Sequence, residues 1–200
     1  LIGKDEAVVK LSTFLDNKIL GGAAARALSE IDTQDSRKAL LNAFSSATDD
    51  KLAGDIISAI AKLQVSEAES ILRQSLNTNN PDKRKNVLYA LSRVGSKASL
   101  KDLSTAAEKD NYTMGKDGAC EAYISLIKRI MSEGYIKDAE KAANDLMKKA
   151  QKAGKTQTRE AALQILMSVN PAGALWLVQN ALKDNSRHYR YAALLSASDY

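Results

Sequence analysis

The helical pattern Ala27-Leu28-Ser29-Glu30-Ile31 returns as Ala59-Ile60-Ala61-Lys62-Leu63 and again as Ala90-Leu91-Ser92-Arg93-Val94, a step of just over thirty positions each time. A unit that short holds one pair of helices, each with a single apolar side, and the pair cannot cover that side alone. Neighbouring pairs must stack to bury it. The constraint predicts an array that grows along the chain, not one closed core.

Apolar residues at spacings of three and four mark six such pairs, each a first helix A followed by a second helix B. The A helices are read from Ala7, Val8, Leu11 and Leu15; Leu40, Leu41 and Phe44; Ala68, Ile71, Leu72 and Leu76; Leu100, Leu103 and Ala107; Ala139, Ala143, Leu146 and Ala150; and Ala174, Leu177, Val178 and Leu182. The B helices carry Ala24, Ala27, Leu28 and Ile31; Ile56, Ile57, Ile60 and Leu63; Val87, Leu88, Leu91 and Val94; Tyr123, Ile124, Ile127 and Ile130; Ala162, Leu163, Leu166 and Val169; and Ala193, Leu194 and Ala197.

One offset tests the register. The displacement that carries Ala68, Ile71, Leu72 and Leu76 of the third A helix onto Ala174, Leu177, Val178 and Leu182 of the sixth also carries Leu63 onto Val169. Independently, Arg159-Glu160-Ala161-Ala162-Leu163 recurs one repeat later as Arg190-Tyr191-Ala192-Ala193-Leu194. The B helices closing at Val94, Ile130 and Val169 are more widely spaced than those before them, so the fourth and fifth pairs, over 97–169, are stretched. The extra length falls in the loop from Asp110 to Gly118 and in a lysine-rich fifth A helix from about Ile136 to Ala153. A single repeat domain over 1–200 is expected, and the opening Leu1-Ile2-Gly3 reads as a segment excised from a longer protein.

Composition agrees with stacked helices: 44% of residues are apolar but only 5% aromatic, so Ala, Leu, Ile and Val must fill the interior. Pro81 and Pro171 stand where helices should begin. The net charge of +5 is divided evenly, with 14 basic and 12 acidic residues in 1–100 and 15 and 12 in 101–200. Neither half is a polybasic arm. No apolar run is long enough to offer a membrane span. The single Cys120 excludes an internal disulfide or a thiolate cluster and suits cytoplasm and bacterial periplasm alike.

Paired helices at this short step, with Ala-Leu-x-x-Val/Ile closing the second helix, resemble the short bacterial class of HEAT repeat over nearly the whole chain. The resemblance implies an all-α, right-handed superhelix, a solenoid of about six HEAT-like helix pairs whose B helices line a concave face and bind a partner. It implies no particular reaction. The segment from Lys10 to Leu20 and the helix from Ala24 to Ile31 also resemble repeat regions joined to carbohydrate-active domains of exported bacterial proteins.

No constellation of catalytic residues is present in the sequence, and no cofactor or metal site is expected. His188, the only histidine, stands at the opening of the last B helix without a Gly-x-Ser-x-Gly elbow, and is read as a solvated residue. Gly115-Lys116-Asp117-Gly118 lacks the order of a phosphate loop and is read as a turn. Cys120, one turn before Ile124, is read as a buried inert thiol. Trp176 lies off the apolar stripe of the sixth A helix and is expected to be partly buried.

The candidate partner-binding residues are Lys85 and Tyr89 on the third B helix, Arg159 on the fifth, and Arg187, Arg190 and Tyr191 on the sixth, the last group sharing its segment with Tyr189. Guanidinium and aromatic groups together suit stacking against bases, sugars or peptide side chains. The expected function is a non-catalytic scaffold that recognises a protein partner or a neighbouring domain. Two alternatives are a nucleic-acid binder similar to helical-repeat DNA glycosylases and an accessory module of an exported carbohydrate-active protein. The even mixture of charge disfavours the first of these, because neutralising about 6 to 10 phosphates needs concentrated cations.

Overall fold

The computed structural model describes residues 4–115 and 117–197. Leu1-Ile2-Gly3, the Lys116 of the expected turn and Tyr200 lie outside them. Among the described residues there are twelve α-helices and no strand, and the helices fall into six consecutive pairs. The pairs are α1 (Lys4–Ser12) with α2 (Gly21–Ile31), α3 (Gln34–Ser46) with α4 (Asp50–Leu63), α5 (Glu69–Ser75) with α6 (Pro81–Val94), α7 (Leu100–Lys109) with α8 (Ala119–Ser132), α9 (Ile136–Lys152) with α10 (Thr156–Val169), and α11 (Ala174–Ala181) with α12 (Arg187–Ala197). The chain divides into two compact units, Leu1–Ser99 and Leu100–Tyr200, each holding three pairs.

In the first unit the second helices lie side by side, α2 against α4 and α4 against α6, while α1 packs on α3. Their stripes are those that the periodicity marks: Leu28 on α2, Ile56, Ile57 and Ile60 on α4, and Leu88 and Leu91 on α6 are all fully buried. Burying each such side chain contributes about 1.5–3 kcal/mol. In the second unit α10 packs against α8, α9, α11 and α12. The long α9 presents Ala139, Ala142, Ala143, Leu146 and Ala150 to its neighbours. Four alanines on one face let the backbones of α9 and α10 approach closely, and Lys137, Lys141, Lys148 and Lys152 are exposed.

Local chemistry sets the helix ends. Thr33 and Ser36 form a reciprocal capping box at the start of α3, and Asp49 accepts from the Leu52 N–H at 2.9 Å. Asn80 accepts from the Lys83 N–H at 3.0 Å while Pro81 occupies the first helical position. Pro171 opens a short 3-10 turn, Pro171–Gly173, which leads into α11. Asp32 and Gln64, one repeat apart, end α2 and α4 in the left-handed conformation, φ 48° and 52°, and their N–H groups cap carbonyls of the preceding turn.

The last pair departs from the expected stripes. On α11 the buried residues are Ala174, Val178 and Ala181, a spacing of four and three that turns Trp176 outward, so it is 64% exposed instead of partly buried. On α12 the buried set is Tyr189, Ala192, Ala193 and Ser196. Leu182 and Leu194, expected in the core, are exposed.

Buried and exposed positions of one helix should respond differently. Leu91→Ala is expected to lower the stability of the first unit by about 2–5 kcal/mol. Tyr89→Ala should stay within about 0.5 kcal/mol. Urea denaturation followed by circular dichroism measures both.

Candidate functional site

The exposed side of the second helices in the first unit is laced by ion pairs between neighbouring helices. Arg26 of α2 meets Asp55 of α4 at 3.9 Å, Lys62 of α4 pairs with Glu30 of α2, and Lys83 of α6 reaches Asp50 of α4 at 3.0 Å. Asn80 also donates to Asp50, at 3.0 Å. The Lys83 and Asn80 hydrogen bonds hold the Asp50 carboxyl below the usual carboxylate range. Close approach supports this lacing: a side chain at Gly54 of α4 would meet Asn86 of α6 at 2.6 Å.

Tyr89 stands on α6 with 56% of its surface exposed, and Lys85 one turn before it is exposed as well. Arg93, one turn after Tyr89, is a third exposed member of the row. Residues four apart share a helix face. The row Lys85, Tyr89, Arg93 is therefore a ring between two cations, on the helix beside the laced pair. Sequence reasoning placed Lys85 and Tyr89 here but missed Arg93, which the same spacing of four could have supplied.

In the second unit the candidate residues separate into two groups. Arg159, expected to face a partner, is only 8% exposed. Its guanidinium forks onto the Asp184 carboxylate, with Nη2 at 2.5 Å from one oxygen and Nη1 at 3.4 Å from the other. Its other face lies 3.8 Å from the centroid of the Tyr189 ring. The Arg159 hydrogen bond, helped by the Ser186 N–H at 2.8 Å, holds the Asp184 carboxyl below its ordinary value. Tyr189 is buried and donates its hydroxyl to Met147 Sδ at 3.3 Å, so its ring serves the stacking of α12 on the preceding pair and is closed to a ligand. The reason is geometric: Arg159 points along the stack at the next interhelical loop, not across it into solvent.

Arg190 donates to the carbonyls of Asp184 at 2.6 Å and Asn185 at 3.1 Å, fixing the loop before α12. Arg187 and Tyr191 are exposed on α12, as is His188. They form a separate surface from the α6 row.

The stretched loop is pinned rather than open. Thr158 of α10 is fully buried and donates to the Tyr112 carbonyl at 2.7 Å, while Cys120 Sγ sits 3.5 Å from the Thr158 hydroxyl. Burial pushes the Cys120 thiol up, away from the thiolate form that a nucleophile needs. Asn111 and Tyr112 adopt left-handed backbone, φ 50° and 55°, and Tyr112 is buried. Among the described residues no three His, Cys, Asp or Glu side chains converge in a way that could hold a metal ion. No single helix among them is long and apolar enough to cross a membrane.

Within each unit, helix hairpins whose second helices pack in sequence make the arrangement of an α-solenoid. Residues 38–124 match the HEAT-repeat family. HEAT repeats generally mediate protein interactions as scaffolds, and the family is typically non-catalytic. Among solved structures the chain is similar to a crystal structure of an engineered protein, 17% identical, over 96% of this chain and 95% of that one with a TM-score of 0.51. At that identity the likeness concerns the fold alone. No curated protein matches the chain.

Breaking the Arg159–Asp184 pair should cost more than breaking an exposed ion pair does. Asp184→Ala strands a buried guanidinium and is expected to destabilise the second unit by about 3 kcal/mol, while Asp35→Ala, whose pairing with Lys38 is exposed, stays within about 0.5 kcal/mol. Because the folded pKa of Asp184 is depressed, its contribution is present above the unfolded value of about 3.9 and is lost as pH falls through the folded value. Thermal unfolding of wild type and Asp184→Asn between pH 7 and pH 2 checks this: the gap between the two should narrow on acidification.

Proposed function

We propose that this chain is a non-catalytic scaffold whose α6 row, Lys85, Tyr89 and Arg93, captures an acidic segment of a protein partner. The observation that carries this reading is the contrast along the second helices of the first unit. The cations Arg26, Lys62 and Lys83 are engaged with carboxylates of neighbouring helices, whereas the row on α6 presents two cations around an exposed aromatic ring. Tyr supplies rigid amphipathic contact area at low entropic cost, and the flanking cations favour a carboxylate-bearing ligand. Interspersed acids make the same surface a poor track for a phosphate backbone, which would need concentrated positive charge. Arg187 and Tyr191 on α12 offer a second contact region of similar chemistry for the same class of partner.

A photocrosslinking amino acid at position 89 of the full chain tests the reading. The expected result is a protein adduct whose yield falls with added salt and is lost in the Lys85→Glu, Arg93→Glu variant, with helicity unchanged. Adduct formation indifferent to both charge reversals contradicts it. Salt-sensitive retention of the chain on double-stranded DNA, abolished by the same reversals, would transfer the row to the nucleic-acid reading.

A further inference from the structure

The long α9 lies inside the second unit, with the α7–α8 pair before it and the α11–α12 pair after it, and packs on α8 and α10. Lys137, Lys141, Lys148 and Lys152 on it are all exposed. At 3.6 residues per turn these four fall within an arc of about 60° and run for about 22 Å along the helix, directly opposite the buried Ala139, Ala143, Leu146 and Ala150. The stripe therefore points straight away from the packed side of α9.

The stability of the helix does not account for this pattern. None of the four lysines makes an ion pair among the described residues, and Asp145, one turn from both Lys141 and Lys149, is taken by Lys149 at 3.0 Å. A solvated helix face gains from an acid four residues before each lysine. Here Lys137 precedes Lys141 and Lys148 precedes Lys152 at that spacing, and like charges so placed destabilise a helix. Lys148 and Lys152 lie towards the C-terminal end, where the helix dipole favours cations, but Lys137 stands in the first turn, where the dipole opposes it. The first half of the stripe thus works against helix formation, which points to a role outside the chain.

Among the described residues of α9 that arc holds no apolar or aromatic side chain, and the exposed Asn144 lies beside the gap between Lys141 and Lys148. The contact it offers is electrostatic. Its charges are spaced at about 6, 10.5 and 6 Å along a straight line. Single-stranded nucleic acid needs rings on which to stack. The phosphates of a duplex wind away from a straight line, so one stripe of four lysines falls short of the roughly 6 to 10 contacts behind strong, salt-dependent binding. Lipid headgroups diffuse in a plane and gather under each lysine whatever its spacing, and four cations on one helix face suffice for attraction to an anionic leaflet. We propose that α9 lays this stripe on the surface of an anionic lipid bilayer, as a peripheral contact in which no helix enters the hydrocarbon.

Co-sedimentation of the full chain with lipid vesicles tests this. The chain is expected to bind vesicles of phosphatidylglycerol and phosphatidylcholine in equal parts at low ionic strength, to leave them at about 0.5 M salt, where screening shortens the reach of each charge, and to ignore vesicles of phosphatidylcholine alone. Lys141→Gln should lower the partitioning about fivefold, and Lys137→Gln with Lys141→Gln about 25-fold. Thermal stability of that double variant should be unchanged or raised, because repulsion along α9 is relieved. Lys10→Gln with Lys51→Gln removes the same charge from the exposed surface of the first unit and should change partitioning by less than about twofold. Absence of binding to the anionic vesicles at low salt overturns the proposal. So does a loss in the first-unit variant equal to that in the α9 variant, which would reduce the effect to net charge. Retention on double-stranded DNA that falls with Lys137→Gln and Lys141→Gln, while anionic vesicles stay unbound, would overturn it in favour of a nucleic-acid contact.

Discussion

Apolar burial between successive helix hairpins is the constraint on which everything else rests. A pair such as α3 and α4 has Leu40, Phe44, Ile56, Ile57 and Ile60 to hide, more apolar surface than two short helices can cover for each other. Side-by-side packing of α2, α4 and α6 in the first unit, and of α8, α10 and α12 in the second, supplies the missing cover. Helix lengths, the two left-handed ends at Asp32 and Gln64, and the capping residues then follow as ways of turning the chain back in time for the next layer.

Charge adds a second layer of order to that packing. In the first unit, cations and carboxylates of adjacent second helices meet on the exposed side, where each pair contributes little by itself but opposes slippage of register. In the second unit the pairing moves inside. Arg159 is buried between Asp184 and the Tyr189 ring, so removing Asp184 leaves an uncompensated guanidinium in a poorly solvated place. A side chain that looks like a ligand-binding arginine in sequence is here part of the joint between the fifth and sixth pairs.

The fold was legible because its signal is periodic. Within α4, α6, α8 and α10 the inward residues follow the same spacing, and one offset carries both Leu63 onto Val169 and Ala68 onto Ala174. The site was less legible because exposure depends on which flank of a helix a neighbour covers, and that flank is not encoded by hydrophobicity. Tyr189 and Tyr191 are close in sequence and chemically alike, yet the first is buried under Arg159 and the second is exposed. Trp176 and Leu194 failed in the opposite direction: large apolar side chains suggest burial, but Ala174, Val178 and Ala193 take the inward positions. Lys85 and Tyr89 lie on the exposed side of α6 as their place between core positions implies, and Arg93 completes the row one turn on.

Native-state hydrogen exchange under rising denaturant measures the stacking most directly, since it reads the opening free energy of each helix separately. If each pair depends on its neighbours, amides of α4, covered by α2 and α6, and of α10, covered by α8 and α12, will be the most protected, with protection declining towards α1 and α12. Equal protection in all six pairs, or the strongest protection in α1 or α12, would contradict an array held together by nearest-neighbour burial.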